Sequence, residues 1–244
     1  MIKALLFDFD GVIVDTEVPT YQSWRDVYAE HGVDLALGDW LPAVGSGSSS
    51  SGSKGSFDAV AHLEALIGAT VDRADVIARR KRRKTELYER APLLPGVAER
   101  LLEAERLGLR TAIVTRNRTD RVTAQCRRVG LQHEWGALVC ANEDPTGDKA
   151  ELYRRAIDLL DVRIEEALAF EDSASGVHAA KRAGLACVAV PNEITRAASF
   201  DGADLVLGSL AECSIADLVS TFGSTARPTE RGRPGSPASR KSQP

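Results

Sequence analysis

Four short apolar runs in this 244-residue chain end in residues able to hold a phosphate or a hard cation. Residues 4–7 lead into Asp8-Phe9-Asp10-Gly11, and residues 111–114 into Thr115-Arg116-Asn117. Residues 137–140 lead into a loop that reaches Lys149, and residues 167–170 into Glu171-Asp172-Ser173. Carboxylate oxygens suit Mg²⁺, which takes few carboxylates and keeps waters and a substrate phosphate as its other ligands. Lysine adds a cation. The residue types alone leave plainer roles open. Aspartates at i and i+2 also cap turns, a threonine simply ends a strand, and a lysine opens a helix on the surface. Arg116 either pairs with a phosphate or carboxylate through its planar fork or points to solvent.

These residues need a frame. Two more apolar runs follow, at 186–190 and 205–207, and helical patterns at 95–107, 119–129, 149–160 and 173–183 alternate with the runs. Three of those patterns end at Gly108, Gly130 and Gly184, as helix C-termini commonly do. Near-continuous apolar strands alternating with helices predict a parallel sheet covered on both faces, a doubly wound α/β fold. Such sheets bind ligands at the carboxyl ends of their strands, where the polar residues above fall.

Residues 16–92 break the alternation with helical patterns alone, at 16–31, 56–67 and 72–90. The chain therefore reads as a discontinuous core, residues 1–15 and 93–222, around an inserted helical domain, residues 16–92. Thr16 is expected to cap the first inserted helix, with Glu17 in its first turn. The Gly- and Ser-rich stretch 45–56 reads as a flexible loop. Residues 223–244, rich in Pro, Gly, Ser and Arg with almost no large apolar residue, read as a disordered basic tail.

Composition narrows the setting. At 43% hydrophobic residues the chain can bury a sizeable core, and no run approaches a membrane span. A net charge of −4 argues against nucleic acid as the main partner. The N-terminal residues read as a strand and not a signal peptide. Cys126, Cys140, Cys187 and Cys213 form no CxxC pair, so a cytoplasmic protein with free thiols is expected, a monomer or weak dimer. The six consecutive cations at 79–84 cannot share one helix face at 100° per residue. Most must be solvated, leaving one or two to line a cleft between insertion and core. His31, His62, His133 and His178 show no metal spacing, and Trp24 and Trp40 are expected in the insertion's own core.

Residues 7–17, FDFDGVIVDTE, resemble motif I of the haloacid dehalogenase superfamily, and residues 170–176, FEDSASG, resemble its motif IV. Val190-Pro191-Asn192 and the helical insertion are similar to its β-phosphoglucomutase-like branch, whose cap is helical. The resemblance spans about residues 1–220 and implies the roles that follow. Asp8 is the nucleophile and Asp10 the general acid/base, Asp10 also offering its backbone carbonyl to Mg²⁺. Asp8 and Asp172 complete the metal site, with Glu171 a neighbouring or direct ligand. Thr115 resembles motif II, its hydroxyl and the N–H groups of Arg116 and Asn117 holding phosphate oxygens. Motif III matches least. Lys149 stands four residues before Tyr153, nearer than the family spacing, and the family prolines are missing.

The resemblance thus implies a Mg²⁺-dependent phosphatase acting on a small phosphorylated metabolite through an aspartyl-phosphate. A phosphosugar mutase is the alternative, weakened because Val44-Gly45-Ser46-Gly47 lacks the arginine of the mutase cap segment. A non-catalytic binding relative is a third reading. A 2-haloacid dehalogenase is disfavoured, since that branch usually lacks the second aspartate that Asp10 supplies.

Overall fold

The computed structural model describes residues 1–44, 57–141 and 147–223. The expected flexible loop at 45–56, residues 142–146 of the loop before Lys149, and the expected tail from 224 lie outside the described residues. So does most of the segment compared with the mutase cap.

Six parallel strands form one sheet: β1 (Ala4–Phe7), β2 (Arg110–Thr115), β3 (Ala137–Cys140), β4 (Ala167–Glu171), β5 (Ala186–Ala189) and β6 (Leu205–Val206). Their order is β3-β2-β1-β4-β5-β6, so β1 is central between β2 and β4. The strand order reverses there, and in doubly wound sheets that point opens the crevice that takes ligands. The sequence alternates accordingly. On β1, Leu5 and Phe7 join one apolar cluster and Ala4 and Leu6 the other. On β4, Leu168 and Phe170 face the first cluster, Ala167 and Ala169 the second.

The first cluster is closed by α5 (Val97–Arg106), α6 (Thr119–Arg128) and α9 (Ile215–Gly223) through Leu101, Val122 and Leu218. The second is closed by α7 (Lys149–Leu160) and α8 (Ala174–Ala183). Alanines on that face of β1 and β4 let the two helices approach closely. The predicted doubly wound fold is thus observed. No sequence pattern named above anticipates α9, and its last residue, Gly223, belongs to the helix and not to the expected tail.

Between β1 and α5 lie α1 (Glu17–Glu30), α2 (Leu37–Trp40), α3 (Ala59–Ile67) and α4 (Arg73–Tyr88). They share a third apolar cluster holding Trp24, Tyr28, Trp40, Leu63 and Val76, as expected of the two tryptophans. Ile194, from the segment after β5, also packs into it. The two connections to the core run side by side: the Asp15 N–H donates to Pro92 O at 3.0 Å, and the Leu94 N–H to Ile13 O at 2.9 Å.

The first inserted helix starts differently from expectation. Thr16 occupies the N-cap position, but its side chain makes no capping bond. The Val18 N–H instead donates to Asp15 Oδ1 at 3.2 Å. Thr16 has αR-like backbone angles, whereas a hydroxyl normally caps from an extended residue.

Candidate functional site

Asp8 follows the last residue of β1, and the Phe9 N–H donates to its Oδ1 at 2.7 Å. Lys149 opens α7 at the edge of the same crevice. Its Nζ lies 2.5 Å from Asp8 Oδ2 and 2.7 Å from Glu171 Oε1. All three side chains are buried. Burial pushes the Asp8 carboxyl up to about 7, against the pull of Lys149. Burial alone would lower the Lys149 ammonium, but Asp8 and Glu171 outweigh it and raise it. Lys149 is therefore a fixed positive charge beside Asp8. The shorter spacing to Tyr153 puts both residues on one face of α7, and the Tyr153 hydroxyl donates to Glu171 Oε1 at 2.5 Å.

Asp10 faces the other way, towards the end of β2. Asn117 Nδ2 donates to its Oδ2 at 3.2 Å, and Thr115 Oγ1 does so at 3.4 Å. Burial, then the nearby Asp8, raises its pKa. Thr115 Oγ1 in turn accepts from the Asn117 N–H at 3.0 Å, which fixes the loop after β2. Arg116 is exposed but lines the cleft.

Asp172 follows β4. Its Oδ2 accepts from Asn192 Nδ2 at 2.7 Å, and burial raises its pKa well above the ordinary value, with help from Glu17 and Asp8. Gly11 has φ +79°, and a Cβ there would fall 2.1 Å from Asp172 Oδ2, so only glycine lets the first loop turn against that carboxylate.

One oxygen from each of Asp8, Glu171 and Asp172 lies within 4.8 Å of the others. Glu171 Oε2 is buried and makes no hydrogen bond. A buried carboxylate oxygen without a partner is costly, and a set of hard oxygen donors is what Mg²⁺ takes. The residues present thus fit a Mg²⁺ ion. The Asp10 carboxylate is not in this set; its side chain turns to Thr115 and Asn117.

Gly176 sits in the first turn of α8, where a Cβ would fall 1.9 Å from Glu171 Oε2. Glu171 cannot retreat, because Lys149 and Tyr153 hold its other oxygen. Gly176→Ala is therefore expected to destabilise the protein by about 1–3 kcal/mol despite alanine's better helix propensity. A urea melt showing an unchanged or raised midpoint would contradict this close approach.

Sequence reasoning missed Tyr153 and Asn192 as holders of the site carboxylates. The signal for Tyr153 was its place one turn after Lys149. For Asn192 it was only its position after a strand end.

A cleft of about 690 Å³ opens over Asp8, Asp10 and Lys149, between the sheet edge and the inserted helices. Its far wall carries Glu17 and Thr20 from α1, and Arg80, Lys84 and Tyr88 from α4. Burial and the neighbouring Asp10 push the Glu17 carboxyl up to about 7.

A doubly wound core with buried carboxylates at its switch point, under an inserted helical cap, defines a class of hydrolytic enzymes. The chain belongs to the haloacid dehalogenase-like hydrolase family, whose profile matches residues 2–184. It is an enzyme of that superfamily's hydrolase and phosphatase type. It is 34% identical over 225 residues to YhcW of Bacillus subtilis (strain 168), covering 92% of this chain and 99% of that one. The crystal structure of CbbY from Rhodobacter sphaeroides in complex with phosphate superposes with a TM-score of 0.67 at 30% identity, covering 89% of this chain and 99% of the other. A HAD family hydrolase from Deinococcus radiodurans R1 with bound phosphate and sodium gives 0.73 at 26% identity, covering 91% and 96%. The family agrees with the resemblance drawn from motifs I and IV, and the relation to the CbbY and β-phosphoglucomutase branch with that drawn from Val190-Pro191-Asn192 and the helical insertion.

Proposed function

We propose that the chain is a Mg²⁺-dependent phosphatase that hydrolyses a small phosphorylated metabolite through an aspartyl-phosphate on Asp8. The observation that supports this most is the division of labour between two neighbouring carboxylates. Asp8 is paired with a buried cation, whereas Asp10, two residues on, faces hydroxyl and amide donors in the same cleft.

In this reading an Asp8 carboxylate oxygen attacks phosphorus and the ester P–O bond breaks. Asp10, whose affinity for a proton is raised by burial and by Asp8, gives a proton to the leaving alkoxide. Asp10 then takes a proton from water, whose oxygen attacks the acyl phosphate and frees Asp8 and inorganic phosphate. Lys149 and the Thr115 hydroxyl with the Arg116 and Asn117 N–H groups would hold the equatorial oxygens. Mg²⁺, held by Asp8 and Asp172 with Glu171 beside them and the Asp10 carbonyl, would supply charge neutralisation at the phosphoryl oxygens. Placing the cap boundaries at 15/16 and 92/93 is part of the same proposal, supported by the paired connections there. A lid on two adjacent strands can open for substrate and close against water.

The test is phosphate release from a panel of phosphorylated metabolites with Mg²⁺ and with EDTA. Release with Mg²⁺ and its loss with EDTA are expected. Isomer formation without release would favour a mutase, and no reaction with any compound would favour a binding protein.

A further inference from the structure

In the segment after β5, two side chains two residues apart point to different parts of the molecule. The segment leaves the sheet beside β4, where the Val190 N–H donates to Glu171 O at 2.7 Å. Asn192 is buried, and its Nδ2 donates to Asp172 Oδ2 at 2.7 Å. Its Oδ1 accepts from the Ile194 N–H at 2.9 Å and from the Thr195 N–H at 3.1 Å. The Thr195 hydroxyl closes the turn by accepting from the Asn192 N–H at 2.9 Å, and the Arg196 N–H donates to Asn192 O at 3.0 Å. Residues 192–195 are therefore one tightly bonded hook.

Ile194 is only 3% exposed, yet it belongs to neither apolar cluster of the core. It sits in the cap's cluster with Trp24, Tyr28 and Leu63, and every other described member of that cluster comes from the insertion. A core side chain is thus planted in the cap, three residues along the chain from one that holds a metal-site carboxylate. Asp172 has little freedom of its own. A Cβ on Gly11 would fall 2.1 Å from its Oδ2 and 2.7 Å from Asn192 Nδ2, so the first loop closes on both. When Ile194 is displaced, the hook carries the shift to Asn192, and Asp172 must follow or lose its donor. Removing a group that orients a metal-ligating side chain lowers metal affinity about 10–100-fold.

We propose that Asn192 is a positioning residue for the Mg²⁺ ligand Asp172, and that Ile194 couples the placement of the cap to metal affinity. This rests on the Mg²⁺ site of the reading above. Such coupling is reciprocal. The cap placement that seats Ile194 favours the metal, and the metal favours that placement. Metal uptake therefore biases the lid before any substrate arrives.

The test is a calorimetric titration of Mg²⁺ into the full-length protein without substrate. Asn192→Ala is expected to raise the Kd about 10–100-fold. Ile194→Ala is expected to raise it about fivefold or more, the low end of coupling between sites. Leu63→Ala thins the same cap cluster from α3 and should leave the Kd nearly unchanged. In Asn192→Ala/Ile194→Ala the second change should add nothing, because the path runs through Asn192. A merely structural role would lower the melting temperature and leave the Kd of the folded protein where it was. Hydrogen exchange reads the reverse direction: Mg²⁺ should slow exchange of the α1 amides in the wild type and not in the Ile194 variant. If Ile194→Ala does not fold, Ile194→Val carries both comparisons. A wild-type Kd in Asn192→Ala overturns the positioning role. A wild-type Kd in the folded Ile194 variant, or an equal loss in Leu63→Ala, overturns the coupling and leaves the Mg²⁺ site standing. A wild-type protein that takes up no Mg²⁺ overturns the metal reading, and the coupling falls with it.

Discussion

Asp8→Asn is expected to lower Mg²⁺-dependent turnover of p-nitrophenyl phosphate by on the order of 10⁴-fold or more. The amide is nearly the same size, so the packing of the β1 end is retained. Its oxygen can still accept from the Phe9 N–H, but it carries no charge to attack phosphorus. Stability should change little, by about 1 kcal/mol. The pocket already disfavours a charge at residue 8, as the rise of that carboxyl to about 7 indicates, and Lys149 keeps Glu171 as a partner. Steady-state kinetics and a thermal melt together decide the matter. A folded variant retaining wild-type turnover would remove the nucleophile from Asp8. Asp10→Asn gives the complementary pattern. A p-nitrophenolate leaving group needs no proton, so phosphoenzyme should still form. Its hydrolysis should stall, and the phosphorylated protein should be visible in an intact-mass spectrum.

How much of this was legible beforehand depended on the range of the interaction concerned. The strands around Asp8, Thr115 and Asp172 announced themselves because buried parallel strands must be apolar almost throughout, and the polar residue that ends each run marks the site. Motifs I and IV fixed the order of those runs. The four-residue helix at Leu37–Trp40 gave no period to detect. Thr16 had the right residue type for a cap, but the first loop curls back through the Gly11 N–H bond to Val14 O. That path sets the backbone angles at Thr16, so Asp15 takes over. The sequence separated outward from inward positions in the 79–84 run only in principle. Which cations turned inward depended on how α4 packs on α1, a contact between segments some 60 residues apart. The hold of Tyr153 and Lys149 on one carboxylate oxygen, with the other left bare, arises where α7 meets β4. No spacing within either motif contains that information.

Lys149 is where stability and chemistry are expected to fail together. Lys149→Met keeps most of the side-chain volume but removes the cation from between Asp8 and Glu171, both buried. Breaking a buried pair by deleting one partner costs about 3–5 kcal/mol, because the remaining charges are left without compensation. The native state can recover part of that cost by taking up a proton, since burial already drives Asp8 upward. A protonated Asp8 is no nucleophile, so the same event that spares the fold silences the site. Turnover should fall by on the order of 10²–10³-fold, the usual effect of losing one fixed electrostatic contact to a transferring group. Lys149→Arg should rescue little. The larger planar guanidinium cannot replace a compact ammonium held at 2.5 and 2.7 Å from two carboxylates. A double-mutant cycle separates the two effects. In Asp8→Asn/Lys149→Met one stranded carboxylate is gone, so the stability losses should be less than additive, with a coupling of about 1–3 kcal/mol. Additive losses in a urea titration would mean that the two side chains do not interact in solution, and the placement of Lys149 as the site's buried cation would fall with them.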